Sequence, residues 1–405
     1  MSLDKKRSTL ALLALAVSAF AIGTTEFISV GLLPLISQDL HVSVSTAGLT
    51  VSLYALGVTF GAPILTSLTS HMSRKVLLLW IMIIFIVGNS IAASATSIGV
   101  LLVARVLSAF SHGVFMSIGS TIAASLVPEN RRASAISIMF SGLTVATVTG
   151  VPFGTFIGQQ FGWRLAFIFI VAVGIVALIA NSILVPSDLQ KGARTTFGDQ
   201  FKLVTNGRLL LLFIITALGY GGTFVVFTYL SPLLQDITGF SEKTVAVILL
   251  VYGVAIAIGN VIGGKLSNKN PIGALFYMFI VQAIVLCILT FTAPFKVAAL
   301  ITIILMGLLA FMNVPGLQVY VVMLAERFVP GAVDVASAIN IAAFNAGIAI
   351  GSYLGGMITD SIGLIHTPWI GGVMVFGAVL LTGWSLALER KDQKVQKVQS
   401  EFIKI

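Results

Sequence analysis

The chain has 405 residues, of which 58% are hydrophobic and only 9% charged, where a soluble globular domain carries roughly 25% charged residues. That balance is the signature of a polytopic membrane protein. The net charge of +9 does not indicate nucleic acid, because the basic residues fall in short clusters between apolar runs, and a single cysteine, Cys287, excludes an intrachain disulfide and a thiolate zinc cluster.

The N-terminus combines Lys5-Lys6-Arg7 with an apolar run and Ala19-Phe20-Ala21, the layout of a secretory signal. The run continues to Leu33, long enough to span a ~30 Å hydrocarbon core, so it reads as an uncleaved first span. Within it stands Glu26, with no basic residue one turn away on its own helix. A carboxylate in hydrocarbon costs a few kcal/mol on insertion scales, about 2.5–3.5 for Asp. It therefore finds a partner on another helix or carries a proton, and an intramembrane ionisable group of this kind is read as functional.

Further apolar stretches follow at 46–68, 76–95, 98–125, 134–157 and 164–185, completing six spans with the first at 9–33. A second six are expected at 208–231, 244–264, 272–293, 297–325, 335–358 and 369–388, each helical because backbone groups in lipid must be satisfied within the segment. Of the 23 Lys and Arg, nineteen fall at the termini or in the connections on the termini's side. Three, Arg164, Lys243 and Lys296, fall on the other, and Arg105 lies inside a span. The positive-inside bias then places both termini in the cytoplasm.

The longest polar connection, "PSDLQKGARTTFGDQFKLVTNG", divides the chain into a first half (1–185), a linker (186–207), a second half (208–390) and a basic tail (391–405). The halves echo one another. "GTTEFISVGLLPLISQDL" is matched by "GGTFVVFTYLSPLLQDI", pairing Pro34 with Pro232 and Tyr54 with Tyr252, while Gly150, Gly154 and Gly162 recur in spacing as Gly351, Gly355 and Gly363. Such half-repeats mark transporters whose site lies between the halves. Glu26 pairs with Phe224, so the second half keeps the scaffold without the charge.

These segments, together with "YALGVTFGAPILTSLTSHMSRK", "RVLSAFSHGVF" and "GLTVATVTGVPFGTFIGQQFGWRLAF", resemble the major facilitator superfamily over nearly the whole chain. Within it they resemble the twelve-helix drug:proton antiporters of the arabinose-efflux-permease-like and chloramphenicol-efflux-like branch. The resemblance implies an all-α membrane fold of twelve helices in two pseudo-symmetric halves. The family's loop motif after helix 2, G-x-L-A-D-[RK]-x-G-[RK]-[RK], survives only as Leu68, Arg74 and Lys75. Ser70 replaces its aspartate and is expected to cap helix 3 in its place. Gly150, Pro152 and Gly154 resemble the helix 5 antiporter motif, which implies export, and glycines four apart also allow close helix approach.

Arg105 and His112 lie two turns apart on one helix face. The family associates an arginine at the first position with proton coupling, and simple bridging of backbone carbonyls is the structural alternative. His112 reads as a hydrogen-bonding or titrating neighbour. The second half offers aromatic and amide groups but no buried acid or base, and Phe227, Tyr252, Asn313, Asn340 and Phe344 are the candidates to line a substrate cavity.

The expectation is a secondary active transporter in the cytoplasmic membrane that exports a small organic compound, such as a drug or sugar-like metabolite, in exchange for protons. Its partners would be that compound, protons and the bilayer, with no nucleic acid, cofactor or metal, and it would work as a monomer. It is not expected to be an enzyme: there is no G-x-x-x-x-G-K-[ST] loop, H-E-x-x-H or G-x-S-x-G. The alternatives are an uptake carrier for a sugar or nucleoside and, less favoured, a non-transporting sensor.

Overall fold

The computed structural model describes residues 5–69, 72–128, 132–187, 189, 197–267, 270–329 and 333–402. Eleven helices among them are long and apolar enough to cross a membrane, and a pair bent by 43° supplies a twelfth span. The first half comprises α1 (Lys5–Asp39), α2 (Val44–Leu68), α3 (Arg74–Ala93), α4 (Ile98–Ser125), α5 and α6 (Trp163–Leu184). The bent α5 runs Arg132–Val145, passes through a π-helical turn at Ala146–Gly150 and resumes as Val151–Phe161. The second half comprises α7 (Gly207–Phe227), α8 (Glu242–Ser267), α9 (Pro271–Thr292), α10, α11 (Val333–Ser361) and α12 (Thr367–Phe402).

Two of the expected spans are interrupted. In α5 the interruption precedes Pro152, whose missing N–H and ring favour a helix start over a helix interior. In α10 the helix Lys296–Ala310 stops at Phe311–Asn313 and restarts as Val314–Phe328, with Pro315 in its first turn. The ring of Pro315 opposes the carbonyl four residues earlier, at Phe311, for the same reason. The outer spans also overrun their expected limits: α1 extends to Asp39 and α12 continues through the described part of the basic tail.

Polar residues fix the helix starts. Asn206 Oδ1 accepts from the N–H groups of Arg208 and Leu209, and Asn270 Oδ1 from that of Gly273, satisfying donors a helix start leaves open. The repeat seen in the sequence is visible in the backbone. Gly162 and Gly363, which break the chain before α6 and before α12, both take left-handed φ values, 91° and 103°, a region glycine enters without steric cost.

Large apolar side chains such as Trp80, Ile183, Tyr277 and Phe291 are exposed on the outer surface, the face a span presents to lipid. Buried polar groups pair between helices instead. Thr25 of α1 bonds Asn89 of α3, and, at the repeat-equivalent position, Thr223 of α7 accepts from Gln282 of α9. The halves meet where α2 lies along α11 and the second part of α5 along α8.

Candidate functional site

Glu26 lies in α1, 8% exposed, beside Phe27. Arg105 of α4 is 1% exposed, and its guanidinium reaches three backbone carbonyls. Nη1 donates to Thr25 O at 2.5 Å, Nη2 to Glu26 O at 3.1 Å and Nε to Thr50 O on α2 at 2.9 Å. A planar fork of fixed donors suits this task, whereas a lysine ammonium does not present one. The guanidinium carbon also stands 4.1 Å from the centroid of the Tyr54 ring, a cation–π arrangement. The Tyr54 hydroxyl in turn lies 3.2 Å from Nδ1 of His112. Glu26, Arg105 and His112 thus belong to one cluster, with Tyr54 as the link between the latter two. The arginine makes its direct hydrogen bonds to the backbone of α1 and α2.

Next to the carboxyl, seven aromatic rings from both halves form a contiguous cluster. Phe27 lies 6.0 Å from Phe224, 6.2 Å from Phe227 and 6.1 Å from Phe311. Tyr220 contacts Phe224, Phe311 and Phe344, the last at 4.9 Å, and Phe227 stacks on Tyr252 at 5.2 Å. The Tyr252 hydroxyl is buried without a hydrogen-bond partner. The cluster is apolar, largely buried and spans the seam, and aromatic side chains of this kind predominate in the lining of small-molecule sites.

Of the cavity candidates, Phe227, Tyr252 and Phe344 join this cluster. The two amides are bonded to neighbouring helices, and Asn313 Oδ1 is buried without a hydrogen-bond partner among the described residues. Asn313 donates to Gln282 at 3.1 Å, and Asn340 accepts from Thr216 at 2.8 Å and donates to Gln318 at 3.2 Å, both being fully buried. They tie helices of the second half together. Phe27 and Phe311 were not among the candidates: one is the immediate neighbour of Glu26, and the other sits at a break that Pro315 announces.

Gly150 and Gly154 face α1, where an added Cβ would strike Thr24 and the side chain of Ile28; Pro152 is buried between them. Gly351 and Gly355 oppose the carbonyls of Gly221 and Val225 on α7 in the same way. In the loop after α2, Ser70 lies outside the described residues. Ser73 occupies the N-cap of α3 without a side-chain bond to it, Arg74 begins the helix, and Lys75 Nζ donates to Ser187 Oγ at 3.5 Å.

At the end of the bundle opposite the termini, hydrogen bonds between described residues join the halves. Ser45 Oγ on α2 donates to Asp360 Oδ2 on α11, and Gln159 Nε2 on α5 donates to the Glu242 carbonyl on α8 at 2.8 Å.

A family model described as Major Facilitator Superfamily matches residues 15–333. The chain belongs to this superfamily. It is similar to the uncharacterized MFS-type transporter YtbD of Bacillus subtilis (strain 168), 80% identical over 97% of this chain and 100% of that protein. It is also similar to the inner membrane transport protein YdhP of Escherichia coli (strain K12), 37% identical over 91% and 94% of the two chains, and to the putative transporter AraJ of the same strain, 31% identical over 88% and 89%. Its fold matches the crystal structure of a bacterial homolog of the human lysosomal transporter Spinster with a TM-score of 0.79, at 17% identity, over 95% of this chain and 98% of that one. The protein is accordingly a multi-pass membrane transporter of small molecules and not an enzyme.

Proposed function

We propose that this transporter is a proton-coupled exporter of a small organic compound, working in the cytoplasmic membrane with both termini inside. The observation that carries the reading is the placement of Glu26. Glu26 stands in α1 where Arg105 donates to its main-chain carbonyl, and the next residue, Phe27, meets Phe224 and Phe227 across the seam, in an aromatic cluster that supplies a surface for an apolar ligand. Gain or loss of one proton there changes the charge facing the second half, which biases how the halves pack. Export rather than uptake is supported by the resemblance of Gly150, Pro152 and Gly154 to the antiporter motif. With the termini inside, the Ser45–Asp360 and Gln159–Glu242 hydrogen bonds join the halves on the outer side.

The test is Glu26→Gln in proteoliposomes with an imposed proton gradient, assayed with ligands selected by thermal stabilisation of the purified protein. Gln is nearly isosteric and cannot exchange a proton. Expected is loss of uphill flux with insertion intact; uphill transport at the wild-type rate would remove Glu26 from the coupling mechanism.

A further inference from the structure

Between the second part of α5 and the start of α8 lies a crevice of about 600 Å³ that opens sideways, toward the bilayer. Its walls are apolar and come from both halves: Phe153 and Phe156, each about half exposed, face Val247 and Leu250. It is closed at both ends. Toward the termini, α8 abuts α5 at Gly253, where even a Cβ would lie 3.0 Å from the Thr147 carbonyl; at the opposite end the Gln159–Glu242 hydrogen bond bridges it. Eleven residues of α8 separate Glu242 from Gly253, so the crevice is about 16 Å long at 1.5 Å per residue.

The far end is polar. Lys243 lines it, exposed and without an ion pair among the described residues. Gln159 Oε1 is buried there with no hydrogen-bond donor. An elongated apolar slot with a cation and an unused acceptor at its mouth matches an anionic amphiphile whose head also carries hydroxyl groups.

We propose that this crevice binds one anionic glycerophospholipid from the surrounding membrane, its acyl chain between Phe156 and Val247 and its phosphate on Lys243. A lipid held there touches both halves at once. It therefore favours the packing in which the Gln159–Glu242 end is closed, because separation of α5 from α8 would dismantle its site.

The experiment is native mass spectrometry of the delipidated full-length protein titrated with dioleoyl phosphatidylglycerol or dioleoyl phosphatidylcholine. Expected is about tenfold tighter binding of phosphatidylglycerol, reduced to the phosphatidylcholine level by Lys243→Gln. Lys296→Gln should leave it unchanged, since that lysine is at the same end but outside the crevice, over Phe240. Val247→Trp, which fills the slot from its exposed wall, should weaken phosphatidylglycerol binding several-fold without unfolding the protein. Equal affinity for the two lipids, equal loss in the two lysine variants, or undiminished binding in Val247→Trp would each overturn the assignment.

Discussion

Asp360→Ala should loosen the end of the bundle opposite the termini and shift the protein toward the state opened there. The carboxylate of Asp360 accepts from Ser45 Oγ across the seam, and both groups lie at the rim rather than in the core. A hydrogen bond to a charged acceptor contributes about 1.5–3 kcal/mol when well buried, and solvent exposure of the carboxylate brings this toward ~1 kcal/mol. Since 1.4 kcal/mol is a factor of about ten, the single variant should change the ratio of the two states roughly fivefold. Gln159→Leu removes the second contact across the seam, and the double variant should move the ratio about thirtyfold if the two act independently. Asp360→Asn keeps an acceptor oxygen and should have the smaller effect. The change is read by double electron–electron resonance between spin labels at Gly99→Cys and Ser361→Cys in a background lacking Cys287. A Cβ at Gly99 meets nothing within 4 Å, so that label is carried without disturbing the fold. An unchanged distance distribution in the double variant would mean that these two hydrogen bonds do not hold the end closed.

Three further outcomes follow from the packing. Arg105→Lys should lower stability by about 2–3 kcal/mol, because one ammonium cannot reproduce the three carbonyl bonds of the guanidinium; an unaltered unfolding midpoint in detergent would contradict the geometry. Gly154→Leu should impair both stability and transport, by about 1–3 kcal/mol of overpacking against Ile28, and Gly154→Ala, whose Cβ would strike both Cγ1 and Cδ1 of that stiff β-branched side chain, should do so by a smaller amount. Tyr252→Phe should leave the thermal midpoint unchanged or raise it, since it deletes a buried hydroxyl with no partner, and any loss of ligand binding in that variant would identify the hydroxyl as a ligand contact.

The spans were readable because hydrocarbon thickness imposes a length on apolar runs, and Glu26 and Arg105 stood out because ionisable groups are costly there. A bend in α5 was legible at Pro152, which removes a backbone donor, whereas the interruption of α10 was not, since a proline in a span can be absorbed by neighbours, as Pro34 is within α1. The role of Tyr54 was hidden for a different reason. Its meaning depends on Arg105 above its ring and His112 at its hydroxyl, two groups from another helix whose rotation periodicity alone does not give. For Asn313 and Asn340 the residue type was informative: an amide in a span needs partners, and neighbouring helices supply them to all but the buried Asn313 Oδ1.

Arg105 makes its hydrogen bonds to the main chain of α1 and α2, with the Tyr54 ring of α2 against its guanidinium. A side-chain bond can swivel about χ angles, but a bond to a carbonyl moves only when its helix moves, so α1, α2 and α4 are coupled as one lever. In the second half, at the level where α10 is broken, Thr223, Gln282 and Asn313 join α7, α9 and α10 through neutral side chains, and the charged ties lie at the end that carries the termini, where Arg208 of α7 and Arg327 of α10 pair with Glu389 and Asp392 of α12. At mid-bundle the transporter is therefore lopsided: the first half is pinned there through its main chain, the second, which bears most of the rings, through side chains, and the break in α10 is where bending between the two would concentrate.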